Sequence, residues 1–158
     1  MRHSPGVPTL LLVHHTTSPS LQVLFDAAHN GATDDAIEGV AVITRAALNA
    51  SAADVLAADA YLLGTPANLG YMSGALKHFF DQIYYPCLEA TVRRPYGLYV
   101  HGNSDTTGAI ASVEKVVTGL QWRRAHDPVS VVGDPSAADA DACWELGAAL
   151  AAGLTLSS

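Results

Sequence analysis

The chain has 158 residues, 49% hydrophobic and 15% charged, with a net charge of −7. That length builds one domain with a sizeable core, and we expect a single domain over residues 1–158 with 1–8 as a disordered tail. No basic stripe or cluster of Lys and Arg stands out, which argues against a nucleic-acid partner, and the acidity is a mild bias against anionic partners.

Short apolar runs alternate with helical patterns along the whole chain. Thr9–Val13 (TLLLV) is a continuous apolar run, as in a strand buried on both faces. It is too short for a membrane span or a secretory core, so the expected location is cytoplasmic with no membrane partner. Leu21, Leu24, Phe25 and Ala28 follow at helical spacing, and His29-Asn30-Gly31 is expected to end that helix. Gly39–Ile43 reads as the second strand, and Ser51-x-x-Asp54 opens a short helix with a capping box that uses Asp. Asp59–Gly64 is the third strand. Met72, Leu76, Phe79, Phe80 and Ile83 line one face of a third helix. Pro95–Gly102 is the fourth strand, and Ile110, Val113, Val117 and Leu120 mark a fourth helix. Pro128–Gly133 is the fifth strand. Cys143, Leu146, Ala149 and Leu150 mark the last helix, with Ser136 or Asp139 near its start.

Strict alternation implies a parallel sheet covered on both faces, and right-handed crossovers leave few topologies. The expected fold is α/β: a three-layer, doubly wound, five-stranded parallel sheet of order 2-1-3-4-5, an order assigned by analogy with known sheets of this class. In such sheets ligands bind beyond the carboxyl ends of the strands, where strand order reverses. Three loops meet there, His14–Leu21, Gly64–Ser73 and His101–Gly108.

The first loop crowds hydroxyls at Thr16, Thr17, Ser18 and Ser20 against the start of a helix. Hydroxyls and unpaired N–H groups at a helix N-terminus hold a phosphate without Lys or Arg. Ser18 or Ser20 also serves as an ordinary N-cap. Neither GxxxxGK[ST] nor GxGxxG is present. The second loop carries no charge between Gly64 and Lys77. Gly64 and Gly70 allow close backbone approach, Pro66 sets the chain direction, and the N–H groups of Ala67 to Tyr71 are expected to be free for the edge of a planar heterocycle. Asn68 adds an amide. Ser73 caps the third helix, bonds the ligand, or does both. In the third loop Gly102, Asn103 and Gly108 suit close approach. His101 is either a structural histidine or a donor to the ligand, and Asp105 points to water or caps the fourth helix.

The segment GTPANLGYMSGALKHFFDQ (Gly64–Gln82) resembles the GTP-x-x-x-G-x-MSG motif of the flavodoxin-like superfamily, and more narrowly the NADPH-dependent FMN reductase and NAD(P)H:quinone oxidoreductase branch. The motif spans some 19 residues, and the order of strands and helices agrees along nearly the whole chain. The resemblance implies FMN as cofactor, with Thr16, Ser20 and Leu21 at the phosphate. Thr65, Pro66, Ala67, Asn68, Leu69, Gly70, Tyr71 and Met72 would face the ribityl chain and ring, and the loop with His101, Gly102 and Asn103 would flank the pyrimidine edge. It further implies NAD(P)H as transient electron donor, a quinone-like or other small molecule as acceptor, and a homodimer or homotetramer. Pro19 stands where glycine is common and removes one N–H donor, and neither of the first two loops has an arginine.

The flavin carries such chemistry, so no protein acid or base is required and no catalytic residue is assigned; His101 is the one weak candidate. A flavodoxin-type electron carrier, which should show an acidic face and aromatic residues covering the ring, and a flavin-free binding or scaffold domain are the alternatives. His14 and His15 lack the sequence neighbours that would complete a metal site, so no metal is expected. Cys87 and Cys143 form no CxxC and read as reduced buried thiols. Tyr84, Tyr85 and Trp122 read as core or interface aromatics. Tyr71 contacts the flavin or packs in the core, and Ile83–Leu88 (IYYPCL) is an apolar stretch suited to an interface.

Overall fold

The computed structural model describes residues 6–156, so residues 1–5 of the expected tail lie outside the described residues. The elements in chain order are β1 (Thr9–His14), α1 (Pro19–Ala32), β2 (Ala41–Ala46), α2 (Ala52–Ala57), β3 (Ala60–Asn68), β4 (Tyr71–Met72), α3 (Gly74–Cys87), β5 (Pro95–Gly102), α4 (Thr107–Gly119), β6 (Arg123–Arg124), β7 (Val129–Val132) and α5 (Ala137–Leu156).

β1 pairs in parallel with β2 on one side (Leu10 opposite Val42) and β3 on the other (Leu10 opposite Ala60). β3 pairs with β5, and the carboxyl half of β5 pairs with β7. The order 2-1-3-4-5 is thus borne out, with β5 as its fourth strand and β7 as its fifth. Two short strands are additions that periodicity does not reveal. β6 pairs with the first residues of β5, and β4 folds back antiparallel on β3.

The apolar runs are buried on both sides, as their lack of alternation requires. Leu10, Leu12, Leu62 and Tyr99 pack under α1 and α5, whereas Leu11, Val13, Tyr61 and Leu63 pack against α3 and α4. Trp122 stacks on Tyr61 with ring centres 4.0 Å apart, and its indole N–H donates to Thr91 Oγ1 at 2.8 Å. Cys87 and Cys143 are buried free thiols, and burial pushes the Cys143 thiol up to about 12. Among the described residues no helix is long and apolar enough to cross a membrane.

The Ser51–Asp54 capping box is present in both directions, and Ser136 and Asp139 form the same reciprocal pair before α5. Three local expectations are corrected. His29-Asn30-Gly31 does not end α1, which runs to Ala32 with Thr33 as its cap. Gly31 is there for packing: a Cβ on it would lie 2.0 Å from the Trp144 carbonyl oxygen of α5. Ala149 is exposed, and Ala151 and Leu154 complete the buried stripe of α5 instead. Within Ile83–Leu88, Ile83 and Cys87 are fully buried and only Tyr85 is a large exposed apolar side chain, so the stretch faces the core more than solvent.

Gly147 of α5 mirrors Gly31, since a Cβ on it would lie 2.0 Å from the Ala28 carbonyl oxygen of α1. Gly147→Ala is therefore expected to destabilise the fold by about 2–3 kcal/mol through forced separation of the two helices, read as a lower urea midpoint. In contrast, a Cβ on Gly153 meets nothing within 4 Å, and Gly153→Ala should gain up to about 1 kcal/mol from helix propensity.

Candidate functional site

The carboxyl ends of β1, β3 and β5 open onto a cleft of about 190 Å³. Its first wall is Thr17, Ser18, Ser20 and Leu21, at the start of α1. Ser18 is the N-cap, with extended backbone and its Oγ accepting from the Leu21 N–H at 3.2 Å; Pro19 occupies the first helical position, as its fixed φ favours. The His15 N–H donates to the Gly64 carbonyl at 3.0 Å and ties this loop to β3. Among the described residues, the N–H groups of Thr16, Thr17, Ser18 and Ser20 have no acceptor, and neither do the hydroxyls of Thr17 and Ser20 have a partner. Thr16 Oγ1 instead shares a 2.7 Å hydrogen bond with His14 Nδ1. The free donors converge at a helix N-terminus, where the partial positive charge favours an anion.

The second wall is Pro66, Ala67 and Asn68. β3 runs on past Gly64 to Asn68, turns at Leu69 (φ 52°) and Gly70 (φ 74°), and returns as β4. Positive φ at both turn residues is the two-residue hairpin geometry that suits strand twist. Leu69 adopts it at an expense of about 1 kcal/mol and is wholly exposed at the tip. The ladder pairs Asn68 with Tyr71 and Ala67 with Met72, so the expected run of free N–H groups from Ala67 to Tyr71 is corrected in part: Asn68 and Tyr71 are the pair that closes the hairpin.

Side chains brace this hairpin from beneath. Thr65 Oγ1 donates to the Pro66 carbonyl at 2.8 Å and accepts from the Ser73 N–H at 3.0 Å, and Ser73 Oγ caps α3 by accepting from the Leu76 N–H. The Met72 N–H donates to Ser112 Oγ of α4 at 3.0 Å. Gly108 packs against the turn, where a Cβ would lie 2.0 Å from the Gly70 carbonyl oxygen.

The third wall is His101, Gly102 and Asn103. His101 Nε2 lies 2.8 Å from the Gly133 carbonyl oxygen, which only accepts, so Nε2 carries the proton. In the neutral ring Nδ1 is then an acceptor, and His101 donates to a ligand only as the imidazolium. Asp105 precedes Thr106, the N-cap residue of α4: its Oδ1 accepts from the Thr107 N–H at 3.1 Å and from the Thr107 hydroxyl at 2.8 Å, and these bonds hold the carboxyl below its usual range.

The structure thus brings together ten of the anticipated residues from three separated loops. Leu69, Gly70 and the half-exposed Tyr71 form the hairpin's outer end, which removes core packing as the role of Tyr71. Thr65, Met72 and Ser73 are buried beneath it, and Met72 belongs to β4 rather than to α3. The bracing hydroxyl of Ser112 lies outside the three loops that the sequence singles out, and its one signal there is a serine on the apolar stripe between Ala109 and Val113. Among the described residues no three His, Cys, Asp or Glu side chains gather as a metal site.

A sheet of this order with its cleft at the switch point can be compared with known proteins. No family model matches the chain, and no curated protein is significantly similar to it. Solved structures do match. The fold is flavodoxin-like. A flavodoxin from the domain Archaea superposes with a TM-score of 0.77 at 16% identity, over 93% of this chain and 99% of the other. A flavodoxin, WrbA-like protein from Agrobacterium tumefaciens gives 0.76 at 17% identity, over 96% and 99%. The flavodiiron core of Flv1 from Synechocystis gives 0.81 at 17% identity over 98% of this chain, which spans only 38% of that longer protein.

Two outcomes follow from the site's bonding. Thr65→Val strands the buried Ser73 N–H and should lower stability by about 1–3 kcal/mol in denaturant titration. Burial, with a smaller contribution from His15, lowers the His14 pKa below 6.5. The unfolded chain therefore takes up that proton first, and stability falls as pH drops below 6.5 until folded His14 titrates. In His14→Gln this part of the acid loss should disappear from thermal unfolding measured between neutral and mildly acidic pH.

Proposed function

We propose that the cleft binds FMN and that the protein is a flavin-dependent electron-transfer protein, in its finer form an oxidoreductase that takes electrons from NAD(P)H and passes them to a quinone-like or other small acceptor. The observation that carries this reading is the set of unpaired donors at the start of α1, the N–H groups of Thr17, Ser18 and Ser20 and the hydroxyls of Thr17 and Ser20, on residues lining a cleft whose other walls are an uncharged hairpin and a glycine turn. Those donors match a phosphate in number and in sign of field, and Pro19 takes only one from the set. The flavin, when bound, supplies the hydride and electron chemistry. The chain's own groups hold the phosphate (Thr17, Ser18, Ser20), present the Asn68 amide and the hairpin edge to a planar ring, and keep that edge rigid through Thr65, Ser73 and Ser112.

The fold supports this reading, since the flavodoxins and the WrbA-like protein share it. Two features favour the reductase over the carrier. No Trp, Tyr or Phe lines the cleft, and the only acid of the three loops, Asp105, is engaged by the N–H and hydroxyl of Thr107. Self-association belongs to the same proposal, with exposed Leu69 and half-exposed Tyr71 beside the cleft as the apolar surface that a second copy would cover.

Titration with FMN and with riboflavin, followed by absorbance and fluorescence quenching, tests the reading. FMN should bind at least about tenfold tighter than riboflavin, and Ser20→Ala with Thr17→Ala should erode that margin without touching riboflavin affinity. Adding NADPH to the loaded protein should bleach the flavin absorbance. Equal affinity for FMN and riboflavin would remove the phosphate site; no bleaching would leave the carrier.

A further inference from the structure

A second cavity lies at the opposite end of the sheet, of about 400 Å³. It is separated from the first cleft by the length of β5 from Pro95 to His101, roughly 20 Å at the rise of a strand. Its floor is apolar, made by Pro95 and by Ala149, Leu150 and Leu154 on the carboxyl half of α5. Its rim carries Arg93 and Arg123.

These two belong to a cluster that the linear sequence conceals. The chain has eight Lys and Arg in total, and Arg93, Arg94, Arg123 and Arg124 converge where β6 pairs with the start of β5. Two of the four are committed. Arg94 Nη1 donates to the carbonyls of Val55, Leu56 and Ala58 at the end of α2, and Arg124 pairs with Glu114 and Asp127. Among the described residues, the side chains of Arg93 and Arg123 make no ion pair or hydrogen bond. Asp59 also lines the cavity, and its carboxylate accepts from the Thr9 N–H at 2.8 Å.

The backbone that carries the rim is unusual as well. Arg93 (φ 67°) and Gln121 (φ 59°) both sit in the left-handed region, disfavoured for residues with a Cβ. Crossing bonds hold them: the Arg93 N–H donates to the Gln121 carbonyl at 2.7 Å, and the Arg123 N–H to the Arg94 carbonyl at 2.8 Å. Strain of this kind persists where the surroundings impose it, often at ligand sites.

We infer that this cavity binds a small amphipathic carboxylate, its head between the guanidinium groups of Arg93 and Arg123 and its aliphatic body on the floor formed by Leu150 and Leu154. Guanidinium groups match a carboxylate in shape and charge, and the volume falls within the range of small-molecule sites. The remaining net acidity of the chain disfavours an extended polyanion, which selects a small anion.

Calorimetric titration of the whole chain with decanoate, with decanol and inorganic phosphate as separate probes, tests this. Decanoate should bind with a Kd below ~1 mM, and decanol and phosphate at least about tenfold more weakly. Arg93→Asn combined with Arg123→Gln should weaken decanoate at least about tenfold, because both positions are exposed and tolerate change while the head loses its partners. Gly153→Phe should block binding by filling the cavity, since a Cβ there meets no atom within 4 Å. Circular dichroism checks that each variant is folded, and the arginine variant decides alone if the glycine variant is not. No binding of decanoate, unchanged affinity in the arginine variant, or equal binding of decanol or of phosphate would each overturn the inference.

Discussion

The approach of α1 to α5 is the contact on which the cleft depends. Gly31 and Gly147 each lie against a carbonyl of the opposite helix, so the two backbones meet with no side chain between them. That closeness sets the pose of α1 on the sheet, and its N-terminus is the first wall of the cleft. Moving the helices apart to admit even one methyl would shift the donors at Thr17, Ser18 and Ser20. Packing density far from the cleft thus controls geometry at the cleft, because an interior at crystal-like density transmits displacement rather than absorbing it.

The hairpin after β3 is positioned by the opposite device, hydrogen bonds rather than close packing. Thr65, Ser73 and Ser112 are polar, buried and hydrogen-bonded, Thr65 to Ser73 and Ser112 to the Met72 N–H, and they join the end of β3 and the returning strand to α3 and α4. A loop without charge can be rigid only if its backbone groups find partners inside the protein. Here they do, and the outer edge can present amide and carbonyl groups without collapsing onto the core. Tyr99 marks the limit of such satisfaction. Its hydroxyl is fully buried beside Gly64 with no partner among the described residues, and burial raises its pKa far above the ordinary phenol value.

The two ends of the sheet differ in how they carry positive potential. At the carboxyl ends it comes from a helix N-terminus and neutral donors. At the amino ends it comes from guanidinium groups set over an apolar floor. Neutral dipoles hold an anion with little long-range field, whereas guanidinium charges act over about a Debye length, so the two ends differ in salt sensitivity and in the ligands they suit.

Much of this is legible in the amino-acid sequence. Continuous apolar runs specified strands buried on both faces. Helical spacing placed α1, α3, α4 and α5, Ser51-x-x-Asp54 marked a cap, and the glycine-proline segment after β3 marked the loop at the switch point. These are local properties, set by periodicity and by the chemistry of neighbouring residues, so the chain alone determined them. Other features came only from tertiary structure. Gly31 reads locally as a helix end, but a helix it had not yet met makes it a packing surface. The loop after β3 reads as open backbone, but Ser112, some forty residues on, helps to fold it into a hairpin. Arg93 and Arg123 read as scattered charges, and the pairing of β6 with β5 brings them to one rim. In each case the deciding partner lies tens of residues or more away, where no local pattern carries its signal.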